Sequence, residues 1–333
     1  MANDIMQQLE EKAQKNPKRI VLPESDNEMI LKAAEQLVQR KIGTPLMVGA
    51  QGAVEEAAGG FGVSTAGFEY FDNNDEAAMN QLAAEYTAKY DALSEKAVLR
   101  KGKDPVGCAM LLAKVGRADG VAAGRVYTTG DVLRAALQIV GLKEGFKTVS
   151  SLGILNVPGF EGPEGNMLAI GDCAVVPAPD ENDLSDIAIA SADTVHAILG
   201  WEPRVAMLSF STDGSAEHES IDPIRRSIAI SRSRRPDLKI DGEFQLDSAI
   251  NPQVAASKVK RDSEVAGRAN VLIFPNLHAG NIGVKLVQTF GKADAYGPVL
   301  QGFAVPVCDF SRGAPLSEIM GNLIMLVVRA QDV

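Results

Sequence analysis

Short apolar runs of strand length alternate with amphipathic stretches of helix length along almost the whole chain, and this alternation confines it to folds in which a mainly parallel sheet is covered on both faces. After Met1 the positions Ile5, Met6, Leu9 and Ala13 share one helical face, and Asn16-Pro17 stops the helix. Arg19-Ile20-Val21-Leu22-Pro23 reads as a buried strand. Ser25 or Asp26 can then cap a helix carrying Met29, Leu31, Ala34 and Leu37, and Thr44-Pro45-Leu46-Met47-Val48 reads as the next strand. The pattern persists through Gly120-Val121-Ala122-Ala123, a helix from about 130 to 141, a strand near Thr148-Val149 and the apolar run Cys173-Ala174-Val175-Val176. A long helix is expected over 182–199, with strands at 205–210 and 271–274. Each of these strands runs into a polar, glycine-bearing loop, the place where open α/β sheets hold ligands. Phe303-Ala304-Val305-Pro306-Val307-Cys308 leads into Ser311-Arg312-Gly313 and a last helix with Ile319, Leu323, Ile324, Val327 and Val328. No repeat of fixed period is apparent.

The stretch from 153 to 170 is rich in Gly, Pro, Asn and Glu, which suits a crossing, a hairpin or a domain boundary. We place a boundary near 150, since 333 residues suffice for two moderate cores. A net charge of −10 gives no general attraction for a nucleic-acid backbone. Three cysteines, at 108, 173 and 308, form neither a disulfide framework nor a zinc cluster, so a reducing, cytoplasmic setting is expected. The first 25 residues lack a secretory pattern, and no later run reaches the roughly 18 apolar residues of a membrane span.

Three segments could hold an anion. In Asp309-Phe310-Ser311-Arg312-Gly313, a glycine, a hydroxyl and a guanidinium sit at a helix start whose N–H groups lack partners. In Tyr127-Thr128-Thr129-Gly130, a helix beginning at 129 or 130 would let Arg134 lean back toward the ligand of the threonines. Arg100-Lys101-Gly102-Lys103 reads as a third basic loop before a helix start at Pro105. Each has a plainer reading, as a cap with a solvated basic residue. Glu318 lies seven residues after Ser311, two helical turns along if the helix is already regular there; it is otherwise a solvated helix acid. His196 reads as packed or interfacial, and His196, His218 and His278 make no spaced metal set. The cysteines are assigned no covalent chemistry. Arg225, Arg226, Arg232, Arg234 and Arg235 could meet an anionic nucleotide tail or form a solvated helix face. A GxxxxGK[ST] loop and a convincing GxGxxG between strand and helix are both missing, so nucleotide hydrolysis and hydride transfer lose their usual warrants.

Taken together, RIVLPESDNE at 19–28, ADGVAAGRVYTTGDVLRAALQIV at 118–140, LSFSTDGSA at 208–216, DGEFQLDSAI at 241–250, FPNLHAGNIGVKLVQ at 274–288 and GPVLQGFAVPVCDFSRG at 297–313 resemble the phosphate acetyltransferase family, within the wider phosphate acetyl/butyryltransferases. The resemblance implies two three-layer α/β/α domains with mainly parallel sheets, like isopropylmalate dehydrogenase: 1–150 completed by 302–333, and 151–301 with CoA-side and dimer surfaces. It implies direct, reversible transfer in an interdomain cleft, acetyl-CoA and phosphate giving acetyl phosphate and CoA. No tightly bound cofactor or metal is expected; potassium or ammonium activation and a cytoplasmic homodimer are. Carried onto this chain, Ser311 donates to the carbonyl oxygen and Arg312 binds phosphate. Thr128, Thr129, Arg134 and, in a shortened loop, Arg100 bind substrate, and Glu318, where the family has aspartate, takes the thiol proton. Tyr127 stands where histidine is usual and Cys308 where asparagine is usual. The resemblance leaves open a butyryl-type acyltransferase and a noncatalytic CoA-binding scaffold. The set of CoA contacts is left unassigned.

Overall fold

Asn16-Pro17 ends the helix α1 (Ala2–Lys15), and the apolar run after it becomes the strand β1 (Lys18–Leu22). The computed structural model describes residues 2–331, with side chains from residue 5. The chain continues through α2 (Glu28–Gln39), β2 (Gly43–Val48), α3 (Gln51–Gly60), β3 (Glu69–Phe71), α4 (Glu76–Lys89), α5 (Glu95–Gly102), α6 (Pro105–Val115), β4 (Gly120–Ala123) and α7 (Thr129–Ile139). Next come β5 (Ser150–Asn156), β6 (Met167–Gly171), α8 (Glu181–Leu199), β7 (Arg204–Leu208), α9 (Asp222–Arg234), β8 (Lys239–Phe244), α10 (Leu246–Ile250), α11 (Pro252–Lys258), β9 (Val271–Ile273), α12 (Leu277–Gly291) and β10 (Asp294–Gln301). The chain ends with β11 (Val307–Asp309) and α13 (Leu316–Ala330). Two compact units result, Met1–Glu144 with Phe303–Val333, and Gly145–Gly302. Residues 1, 332 and 333 of the expected first domain lie outside the described residues.

In the first unit the strands lie in the order β3-β2-β1-β4-β11, all parallel. Ile20, Val21, Leu22, Val121, Ala122 and Ala123 are wholly buried, as strands covered on both faces must be. Helices α1, α2 and α13 pack on one another, as do α4 to α7, and both groups reach β1, covering the two faces. The cap of α2 is Asn27, whose side chain accepts from the N–H groups of Met29 and Ile30, rather than Ser25 or Asp26. Ser25 instead donates to the carbonyls of Leu22 and Val48.

The second unit is mixed. Strand β5 pairs antiparallel with both β10 and β6, while β6-β9-β7-β8 are parallel. Helices α8 and α9 cover one face through Leu184, Ile187, Val195, Ile224 and Ile228. The other face is covered by α10 and α12 through Ala249, Val284 and Val287. The Gly- and Pro-rich stretch is the hairpin between β5 and β6, tightened by a bridge between Gly162 and Gly165. Strand β5 begins at Ser150, past the expected Thr148-Val149. The apolar run Cys173–Val176 is not a strand: it wraps the Asp172 carboxylate, which accepts from the N–H groups of Ala174, Val175 and Val176.

Candidate active site

In the first unit the parallel strands β1, β4 and β11 are neighbours, so the loops that follow them emerge side by side. Glu24, two residues past β1, is 3% exposed and carries its carboxylate into the turn after β4. It accepts from the N–H groups of Gly124 (3.2 Å), Arg125 (3.1 Å), Val126 (2.7 Å) and Tyr127 (3.1 Å). The anion-receiving concavity that this turn forms is therefore filled by the protein's own carboxylate. An anionic ligand at these strand ends has to be met by side chains instead.

Gly124 makes the turn possible. Its φ is +113°, and a Cβ there would stand 2.4 Å from Asp309 Oδ1 and 2.6 Å from the Phe310 carbonyl oxygen. Arg125 extends from the same turn, donating through Nη1 to the Arg312 carbonyl and to that of Ser311 at 3.4 Å. Thr129 Oγ1 donates to Asp309 Oδ2 at 2.6 Å. These contacts tie the start of α7 to the Ser311-Arg312 turn, although 180 residues separate Thr129 from Asp309. The turn is closed by the Ala314 N–H on the Ser311 carbonyl, at 3.0 Å, and leaves the Ser311 and Arg312 side chains exposed.

Asp309 lies 7% exposed beneath this turn, and its Oδ1 has no hydrogen-bond partner. Burial pushes its carboxyl up to about 6; the Thr129 bond opposes that shift and the Glu24 charge adds to it.

Thr128 is the cap of α7. It accepts from the Asp131 N–H and donates to Asp131 Oδ2 at 2.7 Å, while Arg134 Nη1 pairs with Asp131 Oδ1 at 3.0 Å. The helix starts at Thr129, one of the two starts that the sequence left open, and the Arg134 guanidinium remains exposed. Tyr127 donates to Asp104 Oδ1 at 2.9 Å, and burial together with that bond raises its phenol. Arg100 is not in a loop: it occupies the last turn of α5, where a cation complements the helix dipole. The adjacent Lys101 reaches Gln138 on α7.

Glu318 falls in the first turn of α13, not two turns along, because Gly313-Ala314-Pro315 keeps the chain non-helical until Leu316. Partial burial raises its carboxyl above the ordinary range, the direction suited to a proton acceptor working near neutral pH. Among the described residues it has no side-chain hydrogen bond or ion pair.

Other candidates resolve into structure. Arg225, Arg226, Arg232, Arg234 and Arg235 each pair with a carboxylate, namely Glu243, Glu181, Asp241, Asp186 and Asp193. The run is thus a set of ion pairs on a face that stays partly solvated, with the Arg226 and Arg232 side chains 54% exposed. All three cysteines are buried and free, and burial pushes the Cys108 thiol to about 12 and Cys173 to about 11. His196 Nδ1 lies 3.1 Å from the Trp201 carbonyl oxygen. Among the described residues no group of His, Cys, Asp and Glu is placed to hold a metal ion, and no helix is long and apolar enough to cross a membrane.

Sequence reasoning missed the supporting roles of Glu24, Gly124, Arg125 and Asp309. The available signal was an acidic residue just after one apolar strand and at the end of another, an unusual place for unpaired charge.

A sequence profile described as phosphate acetyl/butaryl transferase matches residues 4–327. A phosphate acetyltransferase of Thermoanaerobacterium thermosaccharolyticum is 43% identical, over 98% of this chain and 99% of the relative. One of Bacillus subtilis is 36% identical, over 98% and 99%. Among solved structures, a Streptococcus pyogenes phosphotransacetylase superposes with a TM-score of 0.91 at 32% identity, covering 100% of both chains.

Proposed function

The chain belongs to the phosphate acetyl/butyryl transferase family, and we propose that it is a phosphate acetyltransferase, interconverting acetyl-CoA and phosphate with acetyl phosphate and CoA. The observation that carries this reading is the pair of cross-links, Thr129 to Asp309 and Arg125 to the Ser311 and Arg312 carbonyls, which hold a hydroxyl and two guanidiniums at one set of strand ends.

In the direction of acetyl-CoA synthesis, Arg312 and Arg134 bind the phosphate of acetyl phosphate, with Arg100 as a third cation and Thr128 and Thr129 at the α7 start. Glu318 takes the proton of the CoA thiol. The thiolate attacks the acetyl carbon, and Ser311 Oγ–H donates to the carbonyl oxygen as charge builds on it. The bond from the acetyl carbon to the bridging oxygen then breaks and phosphate leaves. Thr128 and Thr129 both have their protons engaged within the protein, on Asp131 and Asp309, so their hydroxyls meet phosphate by exchanging partners.

The same reading takes the two units as the family's two domains, in the isopropylmalate-dehydrogenase-like arrangement, with CoA-side surface on the second. It places the enzyme in the cytoplasm, activated by potassium or ammonium, as a homodimer. The dimer is supported by an uncovered stripe on α12, where Ile282, Leu286 and Phe290 are 55%, 50% and 79% exposed at four-residue spacing.

The test is CoA-dependent phosphate release from acetyl phosphate by the purified chain. Ser311→Ala and Arg312→Ala are each expected to lose about 100-fold or more in turnover, and Glu318→Gln a comparable factor. Absence of CoA-dependent release in the wild type would reject the activity, and wild-type turnover in a variant would reject that residue's role. Equal or faster turnover of butyryl phosphate would reject acetyl specificity.

A further inference from the structure

One hydroxyl connects the exposed face of the candidate site to a buried carboxylate. Thr129, the first residue of α7, is exposed, while Asp309, the last residue of β11, is 7% exposed. Among the described residues the 2.6 Å bond from Thr129 Oγ1 is the only hydrogen bond that the Asp309 carboxylate accepts, since its Oδ1 has no partner. Glu24, buried close by, accepts from four N–H groups. The Asp309 charge is therefore held inside the protein by a single proton, and that proton belongs to a residue on the exposed side.

A threonine hydroxyl has one proton to give. When it turns that proton to an anion, Asp309 is left buried without a donor and with the negative charge of Glu24 acting on it. A bare charge in that position is costly, and the carboxyl relieves the cost by taking a proton. The neutral acid then donates along the same contact in the opposite sense: Oδ2–H to Thr129 Oγ1, and Thr129 Oγ1–H to the anion. The bond reverses its direction with no displacement of either oxygen, so the tie between α7 and the Ser311-Arg312 turn survives the exchange.

The surrounding charges leave Asp309 no substitute donor. Arg125, in the turn after β4, is directed to the Ser311 and Arg312 carbonyls. Arg134 and Asp131, on α7, pair with each other. The Cys308 thiol, next to Asp309 on β11, is kept neutral by burial, and Glu318 on α13 acts on that thiol in the same direction. Burial already puts the Asp309 carboxyl at about 6 before any anion arrives, so the loss of its one bond moves it upward from a point near neutrality.

We propose that anion binding at Thr129 is coupled to the uptake of a proton by Asp309, so that this buried carboxyl, acting through the Thr129 hydroxyl, sets the pH range in which the site holds phosphate. The proposal rests on the reading of Thr129 as a phosphate-binding residue. It makes Asp309 a positioning residue that holds a proton and touches no substrate. Because the proton is taken from solvent, binding weakens as the pH rises.

The experiment is calorimetric titration of wild type, Asp309→Asn, Thr129→Val and Thr129→Ser with inorganic phosphate, at pH 7 and pH 8 in buffers of different ionisation heat, which counts the protons taken up per phosphate bound. Protonation of phosphate itself is common to all four proteins and cancels in the comparison. Wild type should take up about one proton more than Asp309→Asn or Thr129→Val, and should lose about tenfold in phosphate affinity relative to Asp309→Asn between pH 7 and pH 8. Thr129→Ser keeps the hydroxyl and restores the extra proton. A merely structural Asp309 would change affinity without changing the proton count. Equal counts in wild type and Asp309→Asn, or an excess that persists in Thr129→Val, overturn the coupling, as does the absence of phosphate binding to the wild type. If phosphate binds but the wild type shows no CoA-dependent turnover, the activity reading fails by itself, and the proton count still decides the coupling.

Discussion

Replacing Asp309 by Asn should stabilise the protein at alkaline pH and lose that advantage as the pH falls. The side chain is 7% exposed, one of its oxygens has no partner, and its carboxyl titrates at about 6 instead of the ordinary 3.8. At pH 8 it is charged in both folded and unfolded chains, and burial makes that charge a burden on the folded state alone. A raised carboxyl means that the folded state binds the proton more tightly, so this group's contribution to stability is greatest below 3.8 and is lost as pH rises through 6. The displacement corresponds to about 3 kcal/mol in full, of which about 1.4 kcal/mol falls between pH 5 and pH 8. Asparagine cannot ionise and keeps an oxygen to accept from Thr129. Urea unfolding of both proteins at pH 5 and pH 8, followed by circular dichroism, measures the difference at each pH, in which groups common to both chains cancel. The advantage of the variant should be larger at pH 8 by about 1.4 kcal/mol. A difference that does not change between the two pH values would refute the burial argument.

Glu24→Gln leaves at least one of the four N–H donors of the 124–127 turn facing an amide instead of a carboxylate oxygen, at a cost of about 2–4 kcal/mol; a melting temperature equal to wild type would contradict it. Gly124→Ala forces a Cβ to 2.4 Å from Asp309 Oδ1 at a φ of +113°, so a loss of about 3 kcal/mol or more in stability is expected. Turnover should fall in the folded fraction too, because the Ser311-Arg312 turn must shift, and full activity in that fraction would show that the turn tolerates displacement.

The parts of the fold that were legible in the sequence are those where local pattern and tertiary burial agree. Strands β1, β2, β4, β7 and β9 are short and apolar because both faces are covered, and the hydrophobic run is the same signal seen from either side. Where a polar group organises the chain, the pattern misleads: Cys173–Val176 is apolar enough for a strand, yet its N–H groups go to Asp172. Strand β10 escaped notice for the opposite reason, since Tyr296, Gly297 and Pro298 are only half-buried and offer no continuous apolar run. The displacement of Glu318 from the second helical turn to the first follows from one local break, Pro315 before the helix.

The arrangement of charge was the least legible part, because each pairing joins distant segments. In the α9 region five arginines are met by Glu181, Asp186, Asp193, Asp241 and Glu243, drawn from α8 and β8. At the candidate site the order is reversed: the acids Glu24 and Asp309 are inside, against backbone and Thr129, while the side chains of Ser311, Arg312 and Arg134 face out. A net charge of −10 is therefore compatible with a phosphate site. Glu24 meets the backbone donors from within, so those groups are satisfied whether or not phosphate is bound, and discrimination between bound and free states falls to the exposed guanidiniums. Raising salt should accordingly weaken phosphate and acetyl phosphate binding, as screening acts on exposed charges far more than on buried ones.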